Sequence, residues 1–368
     1  MATSLIARPL LTRSIFQDGV SHLVPLMSLC LPGIDTNDPS KTQIALQVFV
    51  EFVTSITFVD SSGSEWSRAG LSSGELKAVE DSALLEDLVS QLLDRVLELL
   101  EMQVAASSKH YSVEESIGMH VRLLCQHLFR HISRPFVEHA CDKLFLWITN
   151  HTATVSAKIL GHMCGSACRA SAKAADRFVP WLGQRILDHA ASHPTMLSES
   201  ANENVVDEPL VWWLHLLARI ARRGGPNVLR HRALLLDVIA STLPLASRTA
   251  SKLGGKLLRH FLRAQVDIYP LGMQCFPEGD AWDPVAHMAA RTGGLINPYE
   301  NPQVHFFIPS PEDIAFTETV LERVYTPALA ELKSIATGGH STWSSLPGES
   351  SRLGGGGEGG EGSSCVVL

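Results

Sequence analysis

The sequence predicts an all-α protein in which antiparallel helix pairs stack into one array, and three observations predict this class. Apolar residues recur at three- and four-residue spacings along most of the 368 residues, which is the periodicity of an amphipathic helix. The segments between them are mostly short, so neighbouring helices should pack as hairpins. Leu and Ala are frequent and aromatic residues make up only 7% of the chain, which favours helices over a β-sandwich.

Predicted helices follow one another along the chain. In 81–104, apolar positions form one face behind Asp81 or Ser82 as the N-cap. In 208–223, Pro209 suits the first helical turn, and the Gly-Gly-Pro sequence that follows ends the helix. The same criteria predict helices at 5–16, 19–30, 40–59, 81–104, 113–132, 135–150, 153–174, 176–191, 208–223, 228–243, 247–268 and 311–336.

Helix pairs recur about every 40–47 residues, which is the spacing of HEAT-type repeats. One pair cannot bury its apolar face alone, so stacking of neighbouring pairs would supply the core. We therefore predict a HEAT-like α-solenoid over residues 1–336. Composition predicts surface loops within it at about 60–80, 198–207 and 270–310. Gly, Ser and Glu dominate 337–368, which predicts a disordered C-terminal tail.

Charge and cysteine content limit the class of protein. Lys and Arg total 30 against 38 Asp and Glu, a formal net charge of −8, which disfavours direct nucleic-acid binding. The seven Cys have no disulfide-framework spacing, so we expect reduced thiols and a location in the nucleus and cytoplasm. The most apolar segment, 44–59, carries Glu51 and is too short to span a membrane.

Two motifs are reminiscent of catalytic sites. Gly254-Gly255-Lys256 resembles a phosphate loop, but Ala250 and Leu257 stand where Gly and Ser or Thr are needed. We interpret the two glycines as a close-packing pair within a helix. Cys164 and Cys168 resemble a thiol-protease segment, but the spacing and the following Arg do not fit. There, small residues would instead let two helices approach closely. No catalytic residue is predicted, and we expect no enzymatic activity.

Two other patterns resemble metal sites. Asp35, Asn37 and Asp38 resemble the start of a calcium loop that lacks its Gly and its final Glu, so we predict a polar turn capping the next helix. His127 and His131 lie one helical turn apart, but no third ligand or catalytic base accompanies them. We therefore predict no metal and no cofactor.

Three surface features leave alternatives open. Asn150 begins a glycosylation sequon, which matters only in a secreted chain. Cys365 begins a C-terminal Cys-Val-Val-Leu that has the form of a geranylgeranylation site, so membrane binding is expected only if Cys365 is prenylated. A basic cluster could bind an anion or could be solvated helix ends; it comprises Arg219, Arg222, Arg223, Arg230, His231 and Arg232.

Six segments, collinear between about residues 15 and 335, resemble the middle region of the PA200/Blm10 family of large proteasome activators. The most specific is 31–38, LPGIDTND, which is similar to LPG(I/V)DPND of the family. Two others are EPLVWWLHLL from Glu208, similar to ELLWNLQLL, and FIPSPEDIAF from Phe307, similar to WHVPSSEEVSFA. The remaining three are 52–62, 157–180 and 256–270.

The sequence also departs from the family pattern. Thr36 stands where the family favours Pro, the turn at Ser61-Ser62-Gly63 lacks a Cys, and His305-Phe306-Phe307 replaces a Trp-His pair. Family members are several times longer and end in a Tyr-Tyr-Ala-like tail that helps to open the proteasome gate. This sequence ends in Cys-Val-Val-Leu, so we expect gate opening not to carry over.

The resemblance implies a non-enzymatic α-solenoid that binds the 20S proteasome core particle and promotes ubiquitin-independent degradation. Acetylated histones would be substrates of the full-length family member. The expected partner is the 20S core particle or the remainder of a longer activator, because this chain corresponds to a fragment or short form. The alternative that the residues leave open is a helical-repeat scaffold anchored by a prenyl group on Cys365.

Overall fold

The computed structural model describes residues 19–55, 58–60, 62–63, 72–105, 111–151, 157–192, 208–245, 247–271 and 306–337. The helices, in chain order, are α1 (Leu23–Cys30), α2 (Pro39–Ser55), α3 (Ser73–Asp81), α4 (Leu85–Ala105), α5 (Tyr111–His131), α6 (Arg134–Asn150), α7 (Ala157–Ala170), α8 (Ala172–Ser192), α9 (Glu208–Arg223), α10 (Pro226–Leu229), α11 (Arg232–Thr242), α12 (Arg248–Val266), α13 (Pro311–Val320) and α14 (Thr326–Ala336).

The long helices stack in two layers. Layer one contains α2, α5, α7, α9 and α12, each packed against the next. Layer two contains α4, α6, α8 and α11, which pack in the same order. Successive helices alternate between the layers, so that α8 contacts both α7 and α9, and α12 contacts α11. This is the architecture of a HEAT-like array, and the predicted all-α class is confirmed.

One apolar core runs between the layers. Its largest fully buried side chains include Phe178 of α8, Trp212 of α9 and Phe261 of α12. The sequence places these residues on the inward faces because the apolar positions of each helix repeat every three or four residues. Among the described residues, no helix has the length and hydropathy needed to cross a membrane.

Glycines set the spacing of helices within layer one and between the two layers. A Cβ added to Gly161 of α7 would lie 2.7 Å from the Cβ of Arg219, and one on Gly165 would lie 2.7 Å from the Cβ of Arg223. A Cβ on Gly254 of α12 would lie 2.7 Å from the Oγ1 atom of Thr242. The predicted close approaches at the Cys164 segment and at Gly254 are therefore confirmed, whereas Gly255, predicted as the second member of a close-packing pair, makes no such approach.

The end of α2 differs from the prediction. We predicted a helix over 40–59, but α2 ends at Ser55. The Phe58 backbone N–H donates to the carbonyl oxygen of His131 at 2.6 Å, and the Ser133 N–H donates to the carbonyl oxygen of Phe58 at 2.9 Å. These bonds tie the end of α2 to the end of α5 in place of a further helical turn.

The predicted loop at 60–80 was wrong for its second half. Residues Ser73–Asp81 form α3. The Glu75 backbone N–H donates to the Ser72 hydroxyl, and the Ser72 N–H donates to the Glu75 carboxylate at 2.8 Å. This reciprocal pair is a capping box, and its Ser-x-x-Glu pattern is readable in the sequence. Ser310 and Asp313 make the same arrangement at the start of α13.

The predicted helix at 153–174 ends at Ala170, because Ser171 separates α7 from α8. The side-chain amide of Asn227 donates to the carbonyl oxygen of Cys168 at 2.9 Å, which satisfies one of the last carbonyls of α7. The predicted 228–243 helix is likewise divided into α10 and α11, and 311–336 contains a π-helical turn, Leu321–Tyr325.

The loop predicted at 270–310 is described only at its two ends. Strand β1 (Tyr269–Pro270) pairs antiparallel with β2 (Phe306–Phe307), and the rings of Tyr269 and Phe307 stack with centroids 4.9 Å apart. This small sheet was not predicted. The predicted helix at 5–16, the loop at 198–207 and residues 338–368 of the predicted tail lie outside the described residues.

Adjacent glycines in α12 give a direct test of the layer spacing. We expect Gly254→Ala to lower the free energy of unfolding by about 1–2 kcal/mol, because the new methyl group meets Thr242. At Gly255 the nearest atom to an added Cβ is 4.0 Å away. Gly255→Ala should therefore stabilise the helix by about 0.5–1 kcal/mol. Urea unfolding of both variants measures the two signs, and equal shifts would contradict the packing described.

Candidate functional site

The two layers differ in how their charges are paired. Ion pairs link successive elements of layer two: Lys143–Asp94 at 2.6 Å, Lys173–Glu138 at 2.9 Å, Arg177–Asp142, His231–Asp176 at 2.9 Å and Arg323–Asp237 at 2.9 Å. Each pair joins a residue of one element to the preceding helix of the same layer. Pairs at this exposure are individually worth about 0–1 kcal/mol, so their main effect is to balance charge along the layer.

Three successive helices of layer one, α7, α9 and α12, carry cations without this balance. Helices α7 and α12 contain no Asp or Glu, and α9 contains only Glu208 in its first turn. Seven cations of this layer, named here the cationic face, form no ion pair with the carboxylate side chains that the structure describes; the side chains of Glu114 and Glu115 in α5 lie outside that part. They are Arg122 of α5, Lys158 of α7, Arg219, Arg222 and Arg223 of α9, and Lys256 and Arg259 of α12.

The positive charges of the cationic face act on one another across the helices. Burial lowers the pKa of Lys256, and the positive charges of Arg219 and Lys158 lower it further. Lys256, Arg219 and Lys158 belong to α12, α9 and α7. The pKa of Arg219 is lowered by burial and then by the charges of Arg222 and Arg122. The face is therefore one continuous electrostatic surface over four helices.

Two arginines of the face are held in place by the glycines of α7. Because Gly161 and Gly165 lack a Cβ, the stems of Arg219 and Arg223 lie directly against the α7 backbone. Both side chains are half-buried, and their Nε atoms are buried without a hydrogen-bond acceptor among the described residues. A guanidinium group has five N–H donors and no acceptor, so both groups retain capacity to bind an anion.

Histidines between these cations remain neutral at pH 7. Burial lowers the pKa of His162 of α7 to about 3, and the charges of Arg219 and Arg223 contribute to that shift. The pKa values of His215 of α9 and His260 of α12 fall to about 4, again mainly through burial. The positive charge of the face therefore comes from Arg and Lys.

A shallow cleft lies at the α5–α7–α9 end of the face. It is lined by Gln126, Arg130, Ser166, Arg169, Ala170, Arg223 and Leu271. The Arg169 Nε–H donates to the carbonyl oxygen of Leu271 at 2.9 Å, which anchors that guanidinium beside β1. The cleft volume of about 30 Å³ leaves room for about two water molecules.

The sequence-predicted basic cluster is divided by the fold. Arg219, Arg222 and Arg223 belong to the cationic face, whereas Arg230 and His231 pair with Asp176 of α8. Arg232 pairs with Asp313 at 3.2 Å, and its guanidinium lies 5.0 Å from the ring centroid of Phe316. The six residues therefore do not share one surface, because the turn after α9 directs the last three residues towards other elements.

Four members of the face were not found from the sequence. Arg122, Lys158, Lys256 and Arg259 come from three helices that are distant along the chain. A usable signal was present, since the segments that form α7 and α12 hold cations and no acidic residue. Local clustering of charge could not reveal a surface that only helix stacking assembles.

Cys164 and Cys168 lie inside the core. Both side chains are completely buried, and burial raises their pKa well above the usual range for a thiol. A nucleophilic cysteine needs an accessible thiolate. The structure therefore places these residues in helix packing.

The two histidines whose spacing resembles a zinc site, although no metal was predicted there, lie in α5. The rings of His127 and His131 meet edge to face with centroids 6.3 Å apart, and burial lowers the pKa of His131 to about 4. Within the described ranges, no group of three or more His, Cys, Asp or Glu side chains is arranged to hold a metal ion.

The polar turn predicted at Asp35–Asp38 is confirmed. The Asn37 N–H donates to the Asp35 carboxylate, and the Lys41 N–H donates to the Asp38 carboxylate, both at 2.9 Å. Asp38 therefore caps α2. Asn150 is the exposed last residue of α6, and Cys365 lies outside the described residues.

The stacked helix pairs and the continuous core define a helical-repeat protein of the HEAT class. The chain matches the family described as proteasome activator complex subunit 4, mid HEAT repeats region, over residues 1–72 and 71–347. The match covers most of the chain, and the chain belongs to this family. The resemblance found from six sequence segments is therefore confirmed.

Relatives with the name proteasome activator complex subunit 4 show the same relationship. The chain is 29% identical over 335 residues to subunit 4A of Danio rerio. It is 27% identical over 336 residues to the subunit of Homo sapiens and 28% identical over 336 residues to that of Bos taurus. Each alignment covers 88% of this chain, and the chain spans 18% of the length of these relatives.

The buried neutral histidines predict how stability changes with pH. Their pKa values are lowered in the folded state, so the unfolded chain binds more protons below about pH 6.5. We expect the free energy of unfolding to be constant above that pH and to fall as pH decreases towards 4. Each histidine should contribute a slope of about 1.4 kcal/mol per pH unit in this window. Urea unfolding at pH 7.5, 6.0 and 5.0 measures the slope.

Single substitutions separate this effect from other titrations. We expect His162→Asn to reduce the loss of stability between pH 6.0 and 5.0, because it removes the group whose folded-state pKa is about 3. His22→Asn, at an exposed position, serves as the control. An unchanged slope in the His162 variant would contradict the assignment of a neutral buried ring.

Proposed function

We propose that the chain forms part of the helical wall of a PA200/Blm10-type proteasome activator, and that it acts by binding the 20S core particle or the remainder of a longer activator. The observation that carries this proposal is the family match along nearly the whole chain. In this role the chain has no catalytic activity of its own and promotes ubiquitin-independent degradation by the core particle. The sites of action would be the nucleus and the cytoplasm.

The last helices of the array support an assembly role. No side chain of α14 is buried. Large apolar side chains are exposed on α13, the π-helical turn and α14, and this surface is named here the end face. Its residues and their exposed fractions are Ile314 (58%), Leu321 (47%), Tyr325 (50%), Leu329 (36%) and Ile335 (44%). Repeat arrays cover such faces with the next helix pair or with a polar cap.

The occupant that fits best is another helical segment of an activator. The end face continues the same two layers, because Arg323 of the π-helical turn pairs with Asp237 of α11 and Gln265 of α12 donates to the carbonyl oxygen of Asp313. The relatives are several times longer than this chain. An apolar surface of this kind marks a protein–protein contact.

Purification of the native chain from its own cells tests the proposal. We expect 20S core particles to co-purify with it, directly or together with longer activator subunits, as detected by mass spectrometry and native electrophoresis. Complete absence of core particles and of activator subunits would contradict the proposed function.

A matched pair of variants tests the end face. We expect Leu321→Glu to reduce recovery of the partner at least about fivefold, because a charge enters a surface that the contact must dehydrate. Leu146→Glu replaces a leucine of α6 that is 63% exposed and lies away from the end face, so it should leave recovery unchanged. Circular dichroism of both variants verifies the helical fold. Equal recovery would show that assembly does not use this surface.

A further inference from the structure

The cationic face has a charge excess that neither the fold nor the proposed assembly through the end face explains. Its seven Arg and Lys residues lie in a protein whose formal net charge is −8. In layer two, ion pairs between helices balance the positive and negative charges. The excess of unpaired cations is therefore a feature of the cationic face and not of both layers. Unpaired cations this close repel one another, and a bound anion would relieve that repulsion.

The dimensions of the face select an extended ligand. Its cations belong to four successive helices of layer one, and packed helices lie about 8–10 Å apart. The face therefore extends about 24–30 Å from α5 to α12. An extended polypeptide rises about 3.3 Å per residue, so about eight residues would cross it.

The surroundings of the face disfavour nucleic acid. Single strands bind through aromatic side chains on which bases stack. In the described parts of α5, α7, α9 and α12, no aromatic side chain is exposed: Trp212 and Phe261 are buried, and Trp213 contacts the ring of His189 in layer two.

The arginines are arranged for carboxylates. Arg219 and Arg223 lie one helical turn apart on α9, and their stems are fixed against Gly161 and Gly165. A guanidinium group binds a carboxylate through two parallel N–H···O hydrogen bonds. Because packing already restricts these side chains, less conformational entropy is lost on binding than for free surface arginines.

We propose that the cationic face is a docking surface for an acidic polypeptide segment, about eight residues long and rich in Asp and Glu, supplied by a partner protein. Arg219 and Arg223 would each hold a carboxylate, and Lys158, Arg222, Lys256 and Arg259 would hold the flanking acidic side chains. This proposal is independent of 20S binding, because it concerns layer one and not the end face.

Fluorescence anisotropy with a labelled deca-glutamate peptide tests the proposal on the full chain. We expect saturable binding that weakens as salt rises from about 50 to 200 mM, and no binding of a labelled deca-glutamine peptide. Arg222→Gln combined with Arg259→Gln should weaken binding about tenfold. Both side chains are exposed, so the fold should be retained, which circular dichroism and urea unfolding verify.

The control variant removes the same charge elsewhere. Lys77→Gln combined with Arg185→Gln takes two exposed cations from α3 and α8, and we expect an affinity within about twofold of the wild type. Equal weakening by the two double variants would overturn the proposal, since binding would then follow net charge alone.

Competition identifies other occupants. Displacement of the peptide by inorganic polyphosphate at a lower concentration than by unlabelled deca-glutamate would overturn the proposal in favour of a phosphate ligand. Tighter binding of a single-stranded oligonucleotide than of the peptide would overturn it in favour of nucleic acid. Absence of peptide binding at about 50 mM salt would show that the face is not a docking surface.

Discussion

The close approach of α7 and α9 is the contact on which the rest of the structure depends. Gly161 and Gly165 bring the two backbones together, with added Cβ atoms only 2.7 Å from those of Arg219 and Arg223. Cys164 and Cys168 of α7 and Trp212 of α9 are fully buried in the same core. Since helices of one layer support the next, a larger residue at either glycine would shift α9 and everything stacked upon it.

The same contact determines the chemistry of the surface. If α7 and α9 were further apart, the stems of Arg219 and Arg223 would be free in solvent and their positive charges would be hydrated. Packing instead holds them half-buried beside His162, whose pKa falls to about 3. Layer two has polar contacts between its helices, in which Lys143 reaches both Asp94 and the Ser90 hydroxyl. One layer therefore balances its charges internally, and the other presents them outwards.

The family relationship and the charge distribution provide different information. Membership in the proteasome activator subunit 4 family follows from collinear sequence similarity over most of the chain. The cationic face does not follow from that similarity, because it is a property of how this chain's own side chains meet. The end face belongs to a third category, since its exposed apolar residues support the proposed contact with another helical segment.

The sequence by itself determined the all-α class, the order of most helices and the family, because amphipathic periodicity and segment similarity are local properties. It also determined the polar turn at Asp35–Asp38 and the close helix packing at Gly254. It contained the capping box at Ser72 and Glu75, which the prediction of a loop overlooked.

Only the tertiary structure decided which charges meet. Arg219 and Arg232 are close along the chain, yet one faces Arg122 of α5 and the other pairs with Asp313 of α13. Lys158 and Lys256 are almost a hundred residues apart and share one surface. Charge acts over distance in space, and the sequence records only distance along the chain. The helix packing set by Gly161 and Gly165 is what brings residues that are distant along the chain close together in space.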